Sequence, residues 1–298
     1  MRVGVIGLGS MGMGVAASLL RAGHEVFGCD IRPEPRAALA AQGGRACATP
    51  AEAAMDAETL ILLVVNAAQV DTALFGPDGA APRMKPGGVI LQSATVAPNY
   101  PEALAARLAP FGLRLIDAPV SGGAVGAQSG RLTLMASGDP AAFAACESVL
   151  GAIAAKVYRL GDAPGAGSRV KLINQLLAGA HIAVAAEAMA LAIRLGADPA
   201  TVYEVITNSA GGSWMFANRM QHVLDGDYTP RSAVNIFVKD LGIVLDTARQ
   251  AQFPTPMAST ALQLFTMAAA QGLAGEDDAA VIKVFRALAG IDLPAKHE

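Results

Sequence analysis

Arg2-Val3-Gly4-Val5-Ile6-Gly7-Leu8-Gly9-Ser10-Met11-Gly12 opens the chain with a short strand-type run followed at once by three spaced glycines. Met11–Arg21 then reads as an amphipathic helix, so a Gly-x-Gly-x-x-Gly stands at a strand-to-helix turn. Each glycine has a mechanical reason there. Gly7 makes a tight turn, Gly9 lets bare backbone approach a pyrophosphate, and Gly12 permits close packing of helix on strand. The helix start offers free N–H groups and the positive end of a dipole to phosphate oxygens. Gly7, Leu8, Gly9, Ser10, Met11 and Gly12 are therefore candidate dinucleotide contacts. Asp30 closes the second strand segment, where a carboxylate accepts hydrogen bonds from a ribose diol and repels a 2′-phosphate. That favours NAD over NADP, although Arg32 pulls the other way, because a guanidinium suits a phosphate.

Working outward, the same alternation continues. Strand segments are expected at Arg2–Ile6, Glu25–Gly28, Thr59–Val65, Gly88–Leu91, Leu113–Asp117, Leu132–Ala136 and Lys156–Leu160. Helical stretches such as Pro35–Ala41, Asn99–Ala109 and Ala141–Leu150 separate them. Short, almost wholly apolar strands divided by helices predict a parallel sheet covered on both faces, a Rossmann-type doubly wound α/β domain. At Gly161-Asp162-Ala163-Pro164-Gly165-Ala166-Gly167 the composition turns to breakers, and strand signals largely cease. Beyond it a long Ala/Leu/Ile-rich helix runs from about Ser168 to Leu195, with further helices near Thr201–Thr207, Ser213–Val223, Ile236–Gln250, Met257–Ala270 and Asp277–Leu288. The expected organisation is a dinucleotide-binding domain over 1–163 and an all-helical domain over 164–298.

Composition excludes several classes. With 298 residues, 53% of them hydrophobic and 16% charged, the chain has ample core for about two globular domains. Its 22 basic and 25 acidic residues give a net charge of −3, which leaves no electrostatic footprint for nucleic acid. Cys29, Cys47 and Cys146 are widely spaced and include no C-x-x-C, so neither a disulfide framework nor a metal site is expected. The longest aliphatic run, Leu60–Val65, is far shorter than a membrane helix needs, and no targeting segment is read, so a cytoplasmic protein is expected.

A second glycine-rich stretch, Asp117-Ala118-Pro119-Val120-Ser121-Gly122-Gly123, follows a strand at its carboxyl end, the edge of an open α/β sheet that faces ligands. Ser121, Gly122 and Gly123 supply a hydroxyl and bare amides, either a nest for a small carboxylate or simply a flexible loop. With the first glycine loop, Gly130-Arg131-Leu132-Thr133, Lys171 and Lys239-Asp240, this stretch resembles the β-hydroxyacid dehydrogenases over nearly the whole chain. The resemblance implies an NAD(P)-binding N-terminal domain, an all-helical C-terminal domain, a catalytic lysine at Lys171, and assembly as a dimer or tetramer. It also implies that Thr95 approaches the nicotinamide ribose and that Lys239 lies near the nicotinamide end of the cofactor. On the residues alone, Thr95 could equally cap the following helix, and Lys239 reads as an exposed helix lysine. Asn66, after Thr59–Val65, is a similar cofactor candidate.

Lys171, Asn174 and Gln175 fall at i, i+3 and i+4, on one face of the long helix. Oxidising an alcohol requires its hydroxyl proton to leave as the carbonyl forms. Lys171 suits that task as a proton acceptor or as a charge stabilising the oxygen. Many members of the family carry asparagine four residues after the lysine; here Gln175 stands there, preceded by Asn174. The strings 171–181 and 208–216 resemble a branch of the family that oxidises the 2-hydroxyl of a four-carbon polyhydroxy acid with NAD. Asn174 and Gln175 are the substrate candidates, with His181 and Ser213 as further polar groups. His181 reads equally well as a satisfied core histidine, and Trp214 as a packing residue at the domain seam. The same machinery could act on a methyl-bearing or shorter hydroxy acid. A non-catalytic dinucleotide-binding protein is the alternative from another class, and imine reduction is disfavoured by the presence of Lys171.

Overall fold

A computed structural model describes residues 1–296. They form two compact units, Met1–Lys171 and residues 172–296. Nine strands build the sheet of the first unit: β1 (Arg2–Ile6), β2 (Glu25–Cys29), β3 (Arg45–Cys47), β4 (Thr59–Leu62), β5 (Val89–Gln92), β6 (Arg114–Asp117), β7 (Val120–Ser121), β8 (Leu132–Gly138) and β9 (Ala154–Arg159). Their order is β3-β2-β1-β4-β5-β6-β8-β7, with β9 on β8. Pairing from β3 through to β6 is parallel throughout.

Side-chain alternation explains why both faces are covered. Val3 and Val5, Val26, Ile61, and Val89 and Leu91 enter one apolar cluster. Ile6, Phe27, Leu60, Leu62 and Ile90 enter another. Successive strand residues point to opposite faces, so a strand that buries both reads as a continuous apolar run. Strand order reverses at β1, which lies between β2 and β4. The carboxyl ends of β1 and β4 therefore flank the topological switch point, where ligands bind in such sheets.

The sheet is not purely parallel, which corrects the expectation. β8 runs antiparallel to both β6 and β7. Apolar runs report burial and not direction, so nothing in the segment 132–138 announces the reversal. Two strands were unread: β3 has only three residues, the first two exposed, and β7 has two, inside the stretch read as a loop. Thr59–Val65 ends as a strand at Leu62. The expected helix Ala141–Leu150 is two helices, Pro140–Ala145 and Glu147–Ile153, divided at Cys146. Helices at Pro50–Ala54, Ala67–Phe75 and Gly123–Ser129 are additional.

A single uninterrupted helix runs from Ala166 to Arg194. By length and composition alone it could cross a membrane. Its apolarity has another use: Leu172, Ala178, Ile182, Ala186 and Met189 are buried in the core of the second unit. The change of composition at 161–167 precedes this helix, and the division into units falls inside it. Beyond it come helices Pro199–Thr207, Trp214–Leu224, Val234–Gln250 and Pro256–Ala268. The last expected helix, Asp277–Leu288, begins as a 3-10 turn over Asp278–Ile282 and becomes α-helical at Lys283–Ala289. Asp278 is fully buried there against Arg219, and His222 Nδ1 lies 2.9 Å from Asp277 Oδ1.

Candidate active site

The first glycine loop has the geometry its spacing requires. Gly7 has φ +90°, and a β-carbon there would lie 2.5 Å from the Leu63 carbonyl oxygen. A β-carbon on Gly12 would fall 1.8 Å from the Gly7 oxygen, so the helix could not seat. Gly9 is the opposite case, because a β-carbon would meet no protein atom within 4 Å. It is also the N-cap of helix Ser10–Arg21, and no side chain caps that end. The loop thus presents bare backbone and uncapped N–H groups outward, the surface a pyrophosphate fits. Ser10 is exposed, Met11 packs partly on the core, and Leu8 is buried with its N–H donated to Asp30 Oδ2 at 2.8 Å.

Asp30 is 9% exposed at the end of β2. Burial pushes its pKa up, but hydrogen bonds from the Arg32 backbone and side chain and from Leu8 N–H outweigh this and hold it below the ordinary carboxylate range. Arg32, which could have argued for a 2′-phosphate, instead donates its Nε to Asp30 Oδ1 at 3.2 Å. Asn66 caps the helix Ala67–Phe75, accepting from Gln69 N at 2.9 Å. Thr95 does not cap the next helix, which starts at Tyr100 with Asn99 as N-cap. Its loop is shaped by Gln92, a buried residue that sequence reasoning missed: the side chain bonds both N–H and carbonyl of Ala94. A polar residue closing an otherwise apolar strand was the available signal.

The stretch 117–123 divides its labour. Asp117 is fully buried, and its carboxylate accepts from Ser168 N at 2.7 Å, Ser168 Oγ at 2.6 Å and Gly165 N at 3.1 Å. Burial raises its pKa against those hydrogen bonds. It thereby anchors the first turn of the long helix. Gly167 lies so close to the sheet that a β-carbon would sit 2.3 Å from the Met135 oxygen. One turn after Ser168, Lys171 is 8% exposed and donates from Nζ to the Val120 carbonyl at 2.8 Å. Ser121 follows Val120 in β7, and Gly122 and Gly123 have φ +126° and +63°. Both angles lie in the region that glycine adopts without strain, so the loop keeps bare amides beside the Ser121 hydroxyl. Backbone pairing therefore brings the lysine amine to the residue adjoining Ser121.

In the second unit, Gln175 Nε2 donates to Asp240 Oδ2 at 2.5 Å, while Asn174 Nδ2 donates to Gln175 Oε1 at 2.9 Å. Lys239 Nζ pairs with Asp240 Oδ1. Nothing in the sequence joined Asp240 to position 175. His181 lines an apolar groove of about 420 Å³ with Val184, Leu191, Val202, Ser213 and Phe216. Ser213 caps the helix Trp214–Leu224, accepting from Phe216 N. Trp214 is 63% exposed, against its reading as a packing residue. Among the described residues, no group of three or more His, Cys, Asp or Glu could hold a metal.

Comparisons with known proteins agree with this geometry. Residues 2–161 match the family described as the NAD binding domain of 6-phosphogluconate dehydrogenase. Residues 165–285 match that of the NAD-binding region of NADP-dependent 3-hydroxyisobutyrate dehydrogenase. The chain is 59% identical over 296 residues to L-threonate dehydrogenase of Cupriavidus necator, covering 99% of each. It is 55% identical to L-threonate dehydrogenase of Escherichia coli K12, covering 98% of this chain and 96% of that protein.

The chain belongs to the β-hydroxyacid dehydrogenase family.

Within that family, a solved structure described as 3-hydroxyisobutyrate dehydrogenase from Salmonella typhimurium superposes with a TM-score of 0.91 at 56% identity, covering 95% of this chain and 99% of that one. The Rossmann-type sheet followed by a helical unit is the β-hydroxyacid dehydrogenase arrangement. The uncapped loop at Gly9 and the carboxylate of Asp30 fit the adenosine and pyrophosphate parts of NAD. NAD-dependent oxidation of a hydroxy acid is the family's chemistry and this chain's.

Proposed function

We propose that the substrate is L-threonate, oxidised at its 2-hydroxyl to 2-dehydro-L-erythronate. The observation that carries the reading is the position of Lys171, a buried amine held 2.8 Å from the carbonyl of Val120, beside Ser121-Gly122-Gly123. In this account Ser121, Gly122 and Gly123 hold the carboxylate. Lys171 leaves the Val120 oxygen to hold the reacting hydroxyl and take its proton as the carbonyl forms. Bound NAD supplies the hydride acceptor. Gly7 through Gly12, Asp30, Asn66, Thr95 and Lys239 are assigned to the cofactor, and Asn174 and Gln175 to the remaining hydroxyls of the acid.

Two facts favour a polyhydroxy acid. The relatives at 59% and 55% identity are named L-threonate dehydrogenases. With Asn174 and Gln175 assigned to the substrate, their amides also suit the hydroxyls of a polyhydroxy acid better than a methyl group. The second reading, 3-hydroxyisobutyrate, rests on the description of the Salmonella structure. Tartronate semialdehyde reduction would use the same groups on a shorter acid. Initial rates on L-threonate, D-threonate, the erythronates, 3-hydroxyisobutyrate and glycerate, with NAD and with NADP, decide among them. Best turnover of 3-hydroxyisobutyrate would overturn the threonate reading, and no turnover of any acid would return the chain to a dinucleotide-binding role.

The reading extends to a cytoplasmic enzyme that associates with itself. Leu177, Val184 and Leu191 recur every seven residues on the long helix, and all three are exposed, as is Leu195. Such a stripe suits a second copy of the chain. Sedimentation at micromolar concentration checks it, with a strictly monomeric species as the adverse result.

A further inference from the structure

Asp240 is 1% exposed, Gln175 is 7% exposed, and Asn174 is half-buried, so the three form a hydrogen-bonded chain that runs outward. Its direction is fixed from the buried end. The Asp240 carboxylate, paired with the Lys239 ammonium, only accepts hydrogen bonds. Gln175 must therefore turn its nitrogen inward, at 2.5 Å, and its oxygen outward. That oxygen takes the Asn174 nitrogen at 2.9 Å, which leaves the Asn174 carbonyl oxygen as the acceptor at the less buried end of the relay. A free amide presents either end. This one is held in one orientation, with its carbonyl oxygen left to accept and one N–H still beside it.

We infer that Asp240 is a positioning residue whose carboxylate sets the donor direction of the Gln175–Asn174 relay, so that Asn174 presents an acceptor oxygen to the 3-hydroxyl of the substrate. The inference rests on the threonate reading and deepens it. An outward acceptor repels a carboxylate and welcomes a hydroxyl, so the acid end of the substrate binds elsewhere and the polyol end binds here. Gln175 serves this geometry because its longer side chain spans the distance from Asp240 to Asn174 while staying buried.

The test compares L-threonate with its 3-deoxy analogue, 2,4-dihydroxybutanoate, which keeps the reacting 2-hydroxyl. Asp240→Asn lets the Gln175 amide turn either way. It lowers kcat/KM for L-threonate by about 10-fold, the scale of one hydrogen bond, mostly through KM. The deoxy acid loses less than about 2-fold on the same scale. Gln175→Met cuts the relay without touching Asp240, and Asn174→Ala removes its end. Both give the same pattern, and they decide the matter if Asp240→Asn does not fold. Equal losses on both acids, or a loss on neither, overturn this inference alone. A wild-type enzyme inactive on L-threonate overturns the threonate reading and this inference with it.

Discussion

On the proposed mechanism Lys171 concentrates the chemistry in one atom, and its environment sets what deleting it does. The amine is buried, it bonds a main-chain oxygen, and the glycine loop near β1 and β4 is built from other residues. Lys171→Met keeps the length and the apolar stem while removing the amine. Turnover falls by about 10²–10⁴, the range for a lost acid–base group, and NADH affinity measured by fluorescence titration stays within about 2-fold. Near-normal turnover would refute the assignment. Asp30→Ala removes the carboxylate assigned above to the ribose and frees Arg32, so the kcat/KM ratio of NAD to NADP falls by about 10-fold or more. The sign of the pH effect follows from the lowered pKa. Asp30 is anionic at neutral pH and stays so below the ordinary value of ~3.9. The contribution of Asp30 to NAD use therefore holds as pH falls from 7 toward about 4, and is lost only below that range. A midpoint between pH 5 and 7 in kcat/KM for NAD that Asp30→Ala abolishes would contradict it. In the sequence Asp30 is singled out by its distance from the first glycine loop, and Lys171 and Lys239-Asp240 by the family resemblance. The link from Asp240 to Gln175 was not legible, because the two are 65 residues apart and hydrogen-bonding partners carry no spacing signal.

Elements place these groups through a few buried polar joints. Asp117 takes three hydrogen bonds from Gly165 and Ser168, so β6 and the first turn of the long helix are fastened together just ahead of Lys171. Ser168→Ala removes the hydroxyl donor and leaves a buried carboxylate short of a partner. Stability drops by about 1–3 kcal/mol in urea unfolding followed by circular dichroism. A change within error would mean that the joint is satisfied some other way. The strands β1, β2 and β4 to β6 were visible as apolar runs bounded by breakers, as was the long helix from its composition. What escaped has a common cause. β3 and β7 are too short to show a period, Gly123–Ser129 holds two glycines, and the reversal of β8 depends on pairing partners rather than on its own residues.

At the scale of the molecule, two cores share the burden. The first unit packs apolar side chains on both faces of its sheet, and the second packs its helices around one apolar cluster. The second also buries charge: Asp278 is fully inaccessible, and Arg219 holds it through Nε and Nη2. Breaking such a pair from one side leaves an uncompensated charge. Asp278→Ala therefore costs about 3–5 kcal/mol, read as a large loss of thermal midpoint. A mild effect would show that solvent reaches the guanidinium. Sequence reading recovered the architecture because burial on two faces and helical periodicity are local properties, whereas this ion pair joins positions 59 residues apart.

The anchor of Lys171 is a main-chain oxygen, and that has a consequence for how the enzyme can change over time. Any amino acid at position 120 would supply the same carbonyl, so the amine keeps its resting partner whatever side chain stands there. The contact itself thus sets no demand on the side chain at 120, whose size and polarity are held instead by the apolar cluster it packs against, so the mooring of the amine and the packing of the strand answer to different parts of one residue.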